Sequence, residues 1–399
     1  MPELNSQQAA PVQLPEIEEA ERSVAPWFSL PYEEQLQRKQ QMLQEILDGP
    51  YRSRIQPIIP SPRIVGHRNK MEFSFGYNSD EKSALGFHQR SKFWRVEDLN
   101  RSTFLTEVAN HVYAEIKYWA IRTGLPFYRQ VQNQGFFRYL IIREGKRTGE
   151  VLVSVVVNPS GFEREMSRVT SELVAIAQRC PAITSLWLTY RRSVGDAAVG
   201  EQSELIAGAP VIREQVLDLT FQISPASFFQ VNTFGAEVIY DKLRELSAEL
   251  PQRQTLVDLY CGSGGIALTL SRLFTTAIGI DSDRESIRLA VENAKTNWMD
   301  NAIFICAQAK QAMHVASLPN DLLVVDPPRA GLPPKVVNNV LRMAPRHLIY
   351  ISCNPRSFRE NLRALRRQFH VEAIIPVDLF PHTPHIELIA SLVSMQPGR

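Results

Sequence analysis

Four short stretches of this 399-residue chain carry residue types that could do chemistry, and all lie in its second half. Tyr350-Ile351-Ser352-Cys353-Asn354-Pro355 sets a cysteine just past a hydrophobic run, with a proline two residues on to open a helix. Only the thiolate attacks, and at the reference pKa of ~8.5 a few per cent of a cysteine is ionised at neutral pH. A helix starting at Pro355 would turn its positive end towards Cys353 and favour the thiolate, whereas burial would oppose it. The competing reading is a thiol packed under a loop, because free cysteine is among the most buried residue types.

The second stretch, Asp258-Leu259-Tyr260-Cys261-Gly262-Ser263-Gly264-Gly265, leaves a hydrophobic run and enters a helix. Glycines there let the backbone turn tightly and approach a ligand. Asp281 follows Gly262 at roughly the ~20-residue spacing that sets a carboxylate on an adenosine ribose. An aspartate at 258 would repel a pyrophosphate but suits the cationic end of methionine. S-adenosylmethionine is therefore favoured over a dinucleotide, with a ligand-free glycine turn as the alternative.

Val324-Val325-Asp326-Pro327-Pro328-Arg329-Ala330-Gly331-Leu332 is the third stretch. Paired prolines hold the backbone and hence the directions of Asp326 and Arg329. An aromatic after the prolines would suggest methylation of an exocyclic amino group, but Arg329 takes that place. No cysteine lies on this loop, which counts against cytosine-type chemistry. A rigid turn without catalytic duty is the alternative. In the fourth stretch Glu387 interrupts an apolar strand, 386–393, and a glutamate is seldom buried there without a reason. A general base is one reason, and a hydrogen-bonded structural carboxylate is another.

Hydrophobic runs at 255–260, 277–281, 302–306, 322–326 and 347–352, separated by helical stretches, predict an α/β doubly wound parallel sheet. Strands near 371–378 and 385–393 should pair antiparallel at one edge. Ahead of this sheet, Ser224 to Asn232 forms a loop with two aromatics, Phe228 and Phe229, and two amides, Gln230 and Asn232; a helix follows. The preceding part reads as α+β: a helix over 31–47, strands within 55–100, a helix over 103–122 with apolar Val108, Val112, Ile116 and Trp119, a hairpin of 137–143 with 151–157, a helix over 163–178, and strands at 184–190 and 215–223. Three segments result: a disordered acidic tail over 1–28, an α+β region over 29–223 and the α/β domain over 224–399.

With 44% hydrophobic and 22% charged residues the chain reads as a soluble globular protein. No apolar run approaches the ~20 residues of a membrane span, and the polar, acidic start does not suit a secretory signal, so a cytoplasmic location is expected. The cysteines, Cys180, Cys261, Cys306 and Cys353, have no metal-site spacing, and a disulfide framework does not suit this class. A net charge of +2 hides a local excess: residues 51–101 hold ten Lys/Arg against five Asp/Glu. Within it, Met71-Glu72-Phe73-Ser74-Phe75 and Phe93-Trp94-Arg95 interleave aromatics with charge, as a nucleic-acid surface or a half-buried antiparallel sheet would.

Taken together, these strings resemble the RNA uracil-carbon-5 methyltransferases. They are S-F-F-Q-V-N at 227–232, D-L-Y-C-G-S-G at 258–264, D-P-P-R-A-G-L at 326–332, S-C-N-P at 352–355 and F-P-H-T-P-H-I-E at 380–387. Y-E-E-Q-L-Q-R-K at 32–39 and R-N-K-M-E-F at 68–73 resemble the family's N-terminal part. The resemblance implies a Rossmann-like class I methyltransferase sheet, S-adenosylmethionine as cofactor and structured RNA, 23S rRNA or tRNA, as substrate; a monomer is expected. It also implies Cys353 as nucleophile and Glu387 as base, with Gln230, Tyr260, Gly262, Asp281 and Asp326 at the cofactor and Phe228 at the target base. Arg329 is the candidate to steady the enolate oxygen. The chain departs from many relatives in having no cysteine before Cys180, hence no N-terminal iron–sulfur cluster, and in lacking a small RNA-binding barrel; Gly265 stands where some carry asparagine. Exocyclic-amino methylation and an inactive RNA-binding module are the alternative functions.

Overall fold

The computed structural model describes residues 17–90, 92–194, 200–314 and 321–395, with backbone alone at 312–314. Helices α1 (Glu19–Arg22) and α2 (Tyr32–Ile46) open the chain. Strands β1 (Lys70–Tyr77), β2 (Ser83–Gln89) and β3 (Lys92–Asp98), helix α3 (Glu107–Arg122), strands β4 (Phe137–Glu144) and β5 (Val151–Val157), helix α4 (Met166–Arg179) and strands β6 (Ile183–Tyr190) and β7 (Gln202–Gly208) follow. They build one sheet in the order β3-β2-β1-β4-β5-β6-β7. Only β5 and β6 run parallel, as the crossover through α4 requires. β5 is buried along its whole length, so it reads as a continuous Val/Leu run and not as an alternation.

Several expectations need correcting here. Residues 17–28 of the presumed tail are packed, not disordered: Ala20, Ala25 and Phe28 are buried, and the Glu21 carboxylate accepts from Ser102 Oγ and Thr103 N. The remainder of that tail lies outside the described residues. Val108 is exposed, while Val112, Ile116 and Trp119 face the core. The single strand expected at 215–223 is a hairpin of β8 (Ile212–Val216) and β9 (Leu219–Ile223), which turns at Leu217 with φ +55°. β7 carries no burial signal, being largely exposed, and was not foreseen.

The second sheet is the one predicted. Helix α5 (Thr233–Ala248) leads into β10 (Thr255–Leu259), α6 (Gly265–Ser271), β11 (Thr276–Asp281), α7 (Arg284–Thr296) and β12 (Ala302–Cys306). Then come β13 (Leu322–Val325), α8 (Pro334–Met343), β14 (His347–Ser352), α9 (Pro355–Leu365), β15 (Phe369–Val377) and β16 (Glu387–Ser394). The order is β12-β11-β10-β13-β14-β16-β15, parallel except that β16 runs antiparallel to both β14 and β15. The winding reverses between β10 and β13, and open α/β sheets bind ligands outside the carboxyl ends at such a reversal.

The packing does not divide at residue 223. Leu43 and Leu47, from α2 and the residue after it, share a core with Val257, Phe358 and Leu362 of the second sheet and its helix. Ile55 and Ile59 bridge to Ile374 and Val377 at the free edge of β15. The β8–β9 hairpin buries Ile212, Val216 and Phe221 against α5 and β10. Among the described residues no helix is long and apolar enough to cross a membrane.

Candidate active site

Parallel strands end together, so the loops after β10, β11, β13 and β14 converge on one edge of the second sheet. Tyr260 and Gly262 follow β10, Asp281 closes β11, Asp326 follows β13 and Cys353 follows β14. Glu387 arrives from the opposite direction as the first residue of β16. The last β14–β16 pair is Ser352 with Leu388, so one further step of the register sets Cys353 against Glu387. Antiparallel neighbours directly opposite have Cβ atoms ~4.5–5.5 Å apart. Two residues that stand in different motifs thus meet across a strand end.

The glycine loop is shaped by backbone rules. Tyr260 has φ +68°, and Gly262 and Gly264 have φ +53° and +88°, so the chain rolls over the end of β10 into α6. Asp281 Oδ2 accepts from Gly262 N at 3.0 Å, which ties the loop to the next strand. Asp258 sits beneath the loop, fully buried, with Oδ2 accepting from Ala267 N at 3.0 Å and Oδ1 unpartnered. Gly265 is favoured for a different reason: a methyl group there would lie 2.2 Å from Tyr240 Oη, so one of the two would have to shift. Tyr240 occupies the room that an asparagine side chain would need.

Gln230 reaches Asp326, its Nε2 donating to Oδ2 at 3.4 Å. Its loop is held from the first sheet. Asn69 Nδ2 donates to Gln230 O at 2.7 Å and to Thr233 Oγ1 at 2.9 Å, and Arg143 Nη2 donates to Ser227 O at 2.6 Å. Phe228 projects from this loop, 61% exposed, with its ring edge 3.9 Å from where a Gly262 methyl would stand. Arg329 is exposed; its carbonyl accepts from Asn354 Nδ2 and Ser357 Oγ, both at 3.0 Å, so the start of α9 braces the D-P-P-R turn. Asn361 holds the far end of that turn through Leu332 N and O, and its Oδ1 also accepts from Tyr350 Oη.

The loop that delivers Glu387 is clamped by α2. Tyr32, Gln35 and Lys39 recur at helical spacing on one face. Tyr32 Oη donates to Asp378 Oδ2 at 2.8 Å, and Lys39 Nζ donates to Asp378 Oδ1 at 2.5 Å and to Phe380 O at 2.9 Å. Gln35 Oε1 accepts from His382 N at 2.8 Å, and its Nε2 lies 3.2 Å from His382 Nδ1. His382 is thereby held at φ +66°, an uncommon conformation for a non-glycine residue. None of Tyr32, Gln35, Lys39, Asn69, Asn361 or Asp378 was singled out as a site residue from sequence. The one available signal was the row of polar residues on a face of α2 that amphipathicity alone would leave in solvent.

Electrostatically the edge is a nest of carboxyls in a poorly hydrated place. Burial pushes Asp326 up to about 7. Burial, then the Asp326 charge, raises Glu387 well above the usual carboxylate range, and Glu387 Oε1 is buried without a partner. Burial, Asp326 and Asp281 do the same to Asp258. The Cys353 thiol is pushed up to about 11, first by burial and then by Glu387 and Asp326, while the Arg329 guanidinium pulls it down. Of the two opposing effects expected at Cys353, burial prevails over the α9 N-terminus in the resting site. Desolvation outweighs the helix end, and the N-cap role falls to Asn354, whose Oδ1 accepts from Arg356 N.

Beside Tyr260 a cleft of about 520 Å³ opens between the segments after β11 and β12, which supply Ser282, Gln308, Ala309 and Lys310, and the start of α8, which supplies Pro333, Pro334, Lys335 and Val336. Its largely apolar walls suit an aromatic ring, and the carboxylate of Asp281, the residue before Ser282, suits a sugar diol. A nucleoside fits this set, and Ser282 and Gln308 join the residues that sequence reasoning missed.

Comparison with known proteins returns one theme. The family profile described as tRNA (Uracil-5-)-methyltransferase matches residues 210–394. A protein of Caldanaerobacter subterraneus subsp. tengcongensis described as an uncharacterized RNA methyltransferase is 34% identical over 367 residues, spanning 91% of this chain and 81% of the relative. The tRNA (uracil(54)-C(5))-methyltransferase of Pyrococcus horikoshii is 31% identical over 336 residues, spanning 84% and 76%. Among solved structures, the Pyrococcus abyssi tRNA (uracil-54, C5)-methyltransferase in complex with S-adenosyl-L-homocysteine superposes with a TM-score of 0.72. It has 28% identity and covers 91% of this chain and 83% of that one.

Proposed function

Because the chain belongs to the tRNA (uracil-5-)-methyltransferase family, we propose that it methylates carbon 5 of a uridine in tRNA through a covalent Cys353 adduct, with Glu387 removing the ring proton. S-adenosylmethionine is the cofactor and, when bound, supplies the methyl group. The residues present fit it: Asp281 at the ribose, the Tyr260–Gln308 cleft at the adenine, and Gln230, Asp326 and the orphan oxygen of Asp258 towards the methionine end.

Uracil carbon 5 is a poor nucleophile. Cys353 Sγ, once deprotonated, adds to carbon 6 and leaves an enolate whose carbon 5 can accept a methyl group. Glu387 then takes the remaining proton from carbon 5, and the electrons of that bond expel Cys353 as thiolate and restore the ring. Glu387 suits the task because its raised pKa makes it a stronger base than a surface carboxylate. Arg329, which favours the thiolate, is the cation for the enolate oxygen. Both ring faces must be reached, so a stacked uridine has to swing out, and exposed Phe228 is the surface for it to stack on.

The observation that carries this reading is that Cys353 and Glu387 come together just past the Ser352–Leu388 end of the β14–β16 ladder, with Glu387 Oε1 buried and without a hydrogen-bond partner. Incubation with methyl-labelled cofactor and total tRNA should label uridine. Glu387→Gln should accumulate a denaturant-stable protein–RNA adduct, and Cys353→Ala should abolish both label and adduct. Full turnover by Cys353→Ala would overturn the mechanism, label in ribosomal RNA alone would overturn the substrate, and label on adenosine or guanosine would favour an amino-group methyltransferase.

A further inference from the structure

Most of the aromatics in the basic 51–101 segment are explained by the first sheet. Phe73, Phe75 and Phe87 are buried in its core. Phe93 and Trp94 are not: they are 60% and 45% exposed, with ring centroids 5.3 Å apart. The ladder shows why. His88 pairs with Val96, but the next residue, Gln89, pairs with Lys92. Phe93, Trp94 and Arg95 are therefore extra residues on β3, thrown out of register at the edge of the sheet. A bulge of this kind re-aims side chains, and nothing in the packing of the sheet needs two aromatics there.

They form one wall of a groove of about 510 Å³, and Tyr77, Tyr128 and Val131 form the rest of its apolar lining. The Arg129 guanidinium lies 3.8 Å above the Tyr77 ring. Arg129 and Arg95 share one carboxylate, that of Glu81, so the lining keeps a net positive charge. Gln130 and Gln132 supply amides. Beyond Arg95 the adjoining cleft is acidic, with Glu18, Glu19, Asp80, Glu97 and Asp98. A polyanion is thus repelled on one side and admitted on the other, which suits one inserted residue better than a long track.

We propose that this groove binds an unstacked nucleotide of the substrate RNA, its base against Phe93 and Trp94 and its phosphate at Arg129 and Arg95. The site is distinct from the edge that carries Cys353, and it would anchor the RNA while the target uridine enters. Aromatic faces with adjacent guanidiniums are how single-stranded bases are held without base-edge readout. This inference rests on RNA being the substrate.

The test measures tRNA affinity of the full-length protein by fluorescence anisotropy at fixed salt, together with steady-state methylation. Phe93→Ala, Trp94→Ala and Arg129→Ala are the variants, and Ile121→Ala, an exposed apolar residue on α3, is the control. Each of the two aromatic substitutions should weaken RNA binding by about 5- to 100-fold, raise KM for RNA and leave kcat at saturating RNA unchanged; Ile121→Ala should change neither. Unaltered RNA affinity in an enzyme that still methylates uridine would overturn this proposal alone. Absence of any RNA binding or methylation by the wild-type chain would instead overturn the functional reading beneath it. A wild-type dimer that becomes monomeric in Trp94→Ala without loss of RNA affinity would assign the groove to a second copy, against the proposal.

Discussion

Lys39 on α2 donates to Asp378 at 2.5 Å, and both side chains are fully buried. The pair joins α2 to the loop that carries Glu387 to Cys353, so the N-terminal segment is part of the frame of the candidate site. Tyr32 and Gln35 reinforce the same joint through Asp378 and His382.

Breaking that pair from one side should be expensive. Lys39→Met leaves the Asp378 charge buried without its cation, which costs about 3–5 kcal/mol. Urea denaturation should show the loss, and a Lys39→Met/Asp378→Leu double variant should recover most of it. A single variant as stable as wild type would show that the pair does not brace the loop.

Asn69 should matter for the cofactor although it stands just before β1 of the other sheet. Asn69→Ala removes the donors to Gln230 O and Thr233 Oγ1, leaving a buried hydroxyl and a carbonyl short of partners, at a cost of about 1–3 kcal/mol. Calorimetry should report weaker S-adenosylmethionine binding, because Gln230 loses its fixed approach to Asp326. Unchanged affinity would mean that the loop is held well enough by Arg143 and by the backbone bond from residue 69 to Val231 O.

Gly265 and Tyr240 should behave as a coupled pair. Gly265→Ala sets a methyl 2.2 Å from Tyr240 Oη and should destabilise the protein by about 1–3 kcal/mol. Tyr240→Phe removes that oxygen, so the double variant should be more stable than Gly265→Ala alone. Strict additivity of the two thermal shifts would argue that the helix moves instead of the ring.

The pH dependence follows from Asp326. Its folded pKa, about 7, lies above the ordinary value of 3.8, so the folded state holds the proton more tightly. The stability this contributes is fully present below about pH 4 and is lost as pH rises through about 7. Glu387 and Asp258 act in the same direction. The ligand-free protein should therefore melt lower at pH 8 than at pH 6, and Asp326→Asn should flatten that decline. A cationic cofactor favours the ionised carboxylates, so its affinity should rise over the same interval. Cofactor binding that is flat between pH 6 and 8 would contradict this account.

Much of the second sheet was legible because its signals are local. The central parallel strands β10, β11, β13 and β14 are buried on both faces and each announces itself as a short apolar run, and the glycine loop, the paired prolines and the Cys353-Asn354-Pro355 junction each need only their immediate neighbours in sequence. The first sheet was less legible. β7 is an exposed edge with no apolar pattern, and the β8–β9 turn at Leu217 has none of the usual turn residues. Residues 17–28 looked like tail because their few apolar side chains pack against partners remote in sequence.

By itself, then, the sequence determined the strand–helix alternation, the glycine loop after β10 and which residues are candidates for the chemistry, since propensity, turn chemistry and side-chain type are properties of short segments. The tertiary structure alone decided what those residues are to one another. Strand pairing is long-range: β16 slots between β14 and β15, and that placement sets Glu387 against Cys353. Ionisation is long-range too, because desolvation by distant elements holds the Cys353 thiol at about 11 where its local helix end favours the thiolate. The same holds for Phe93 and Trp94, whose alternation suited core and surface equally until a bulge in the ladder turned both outward.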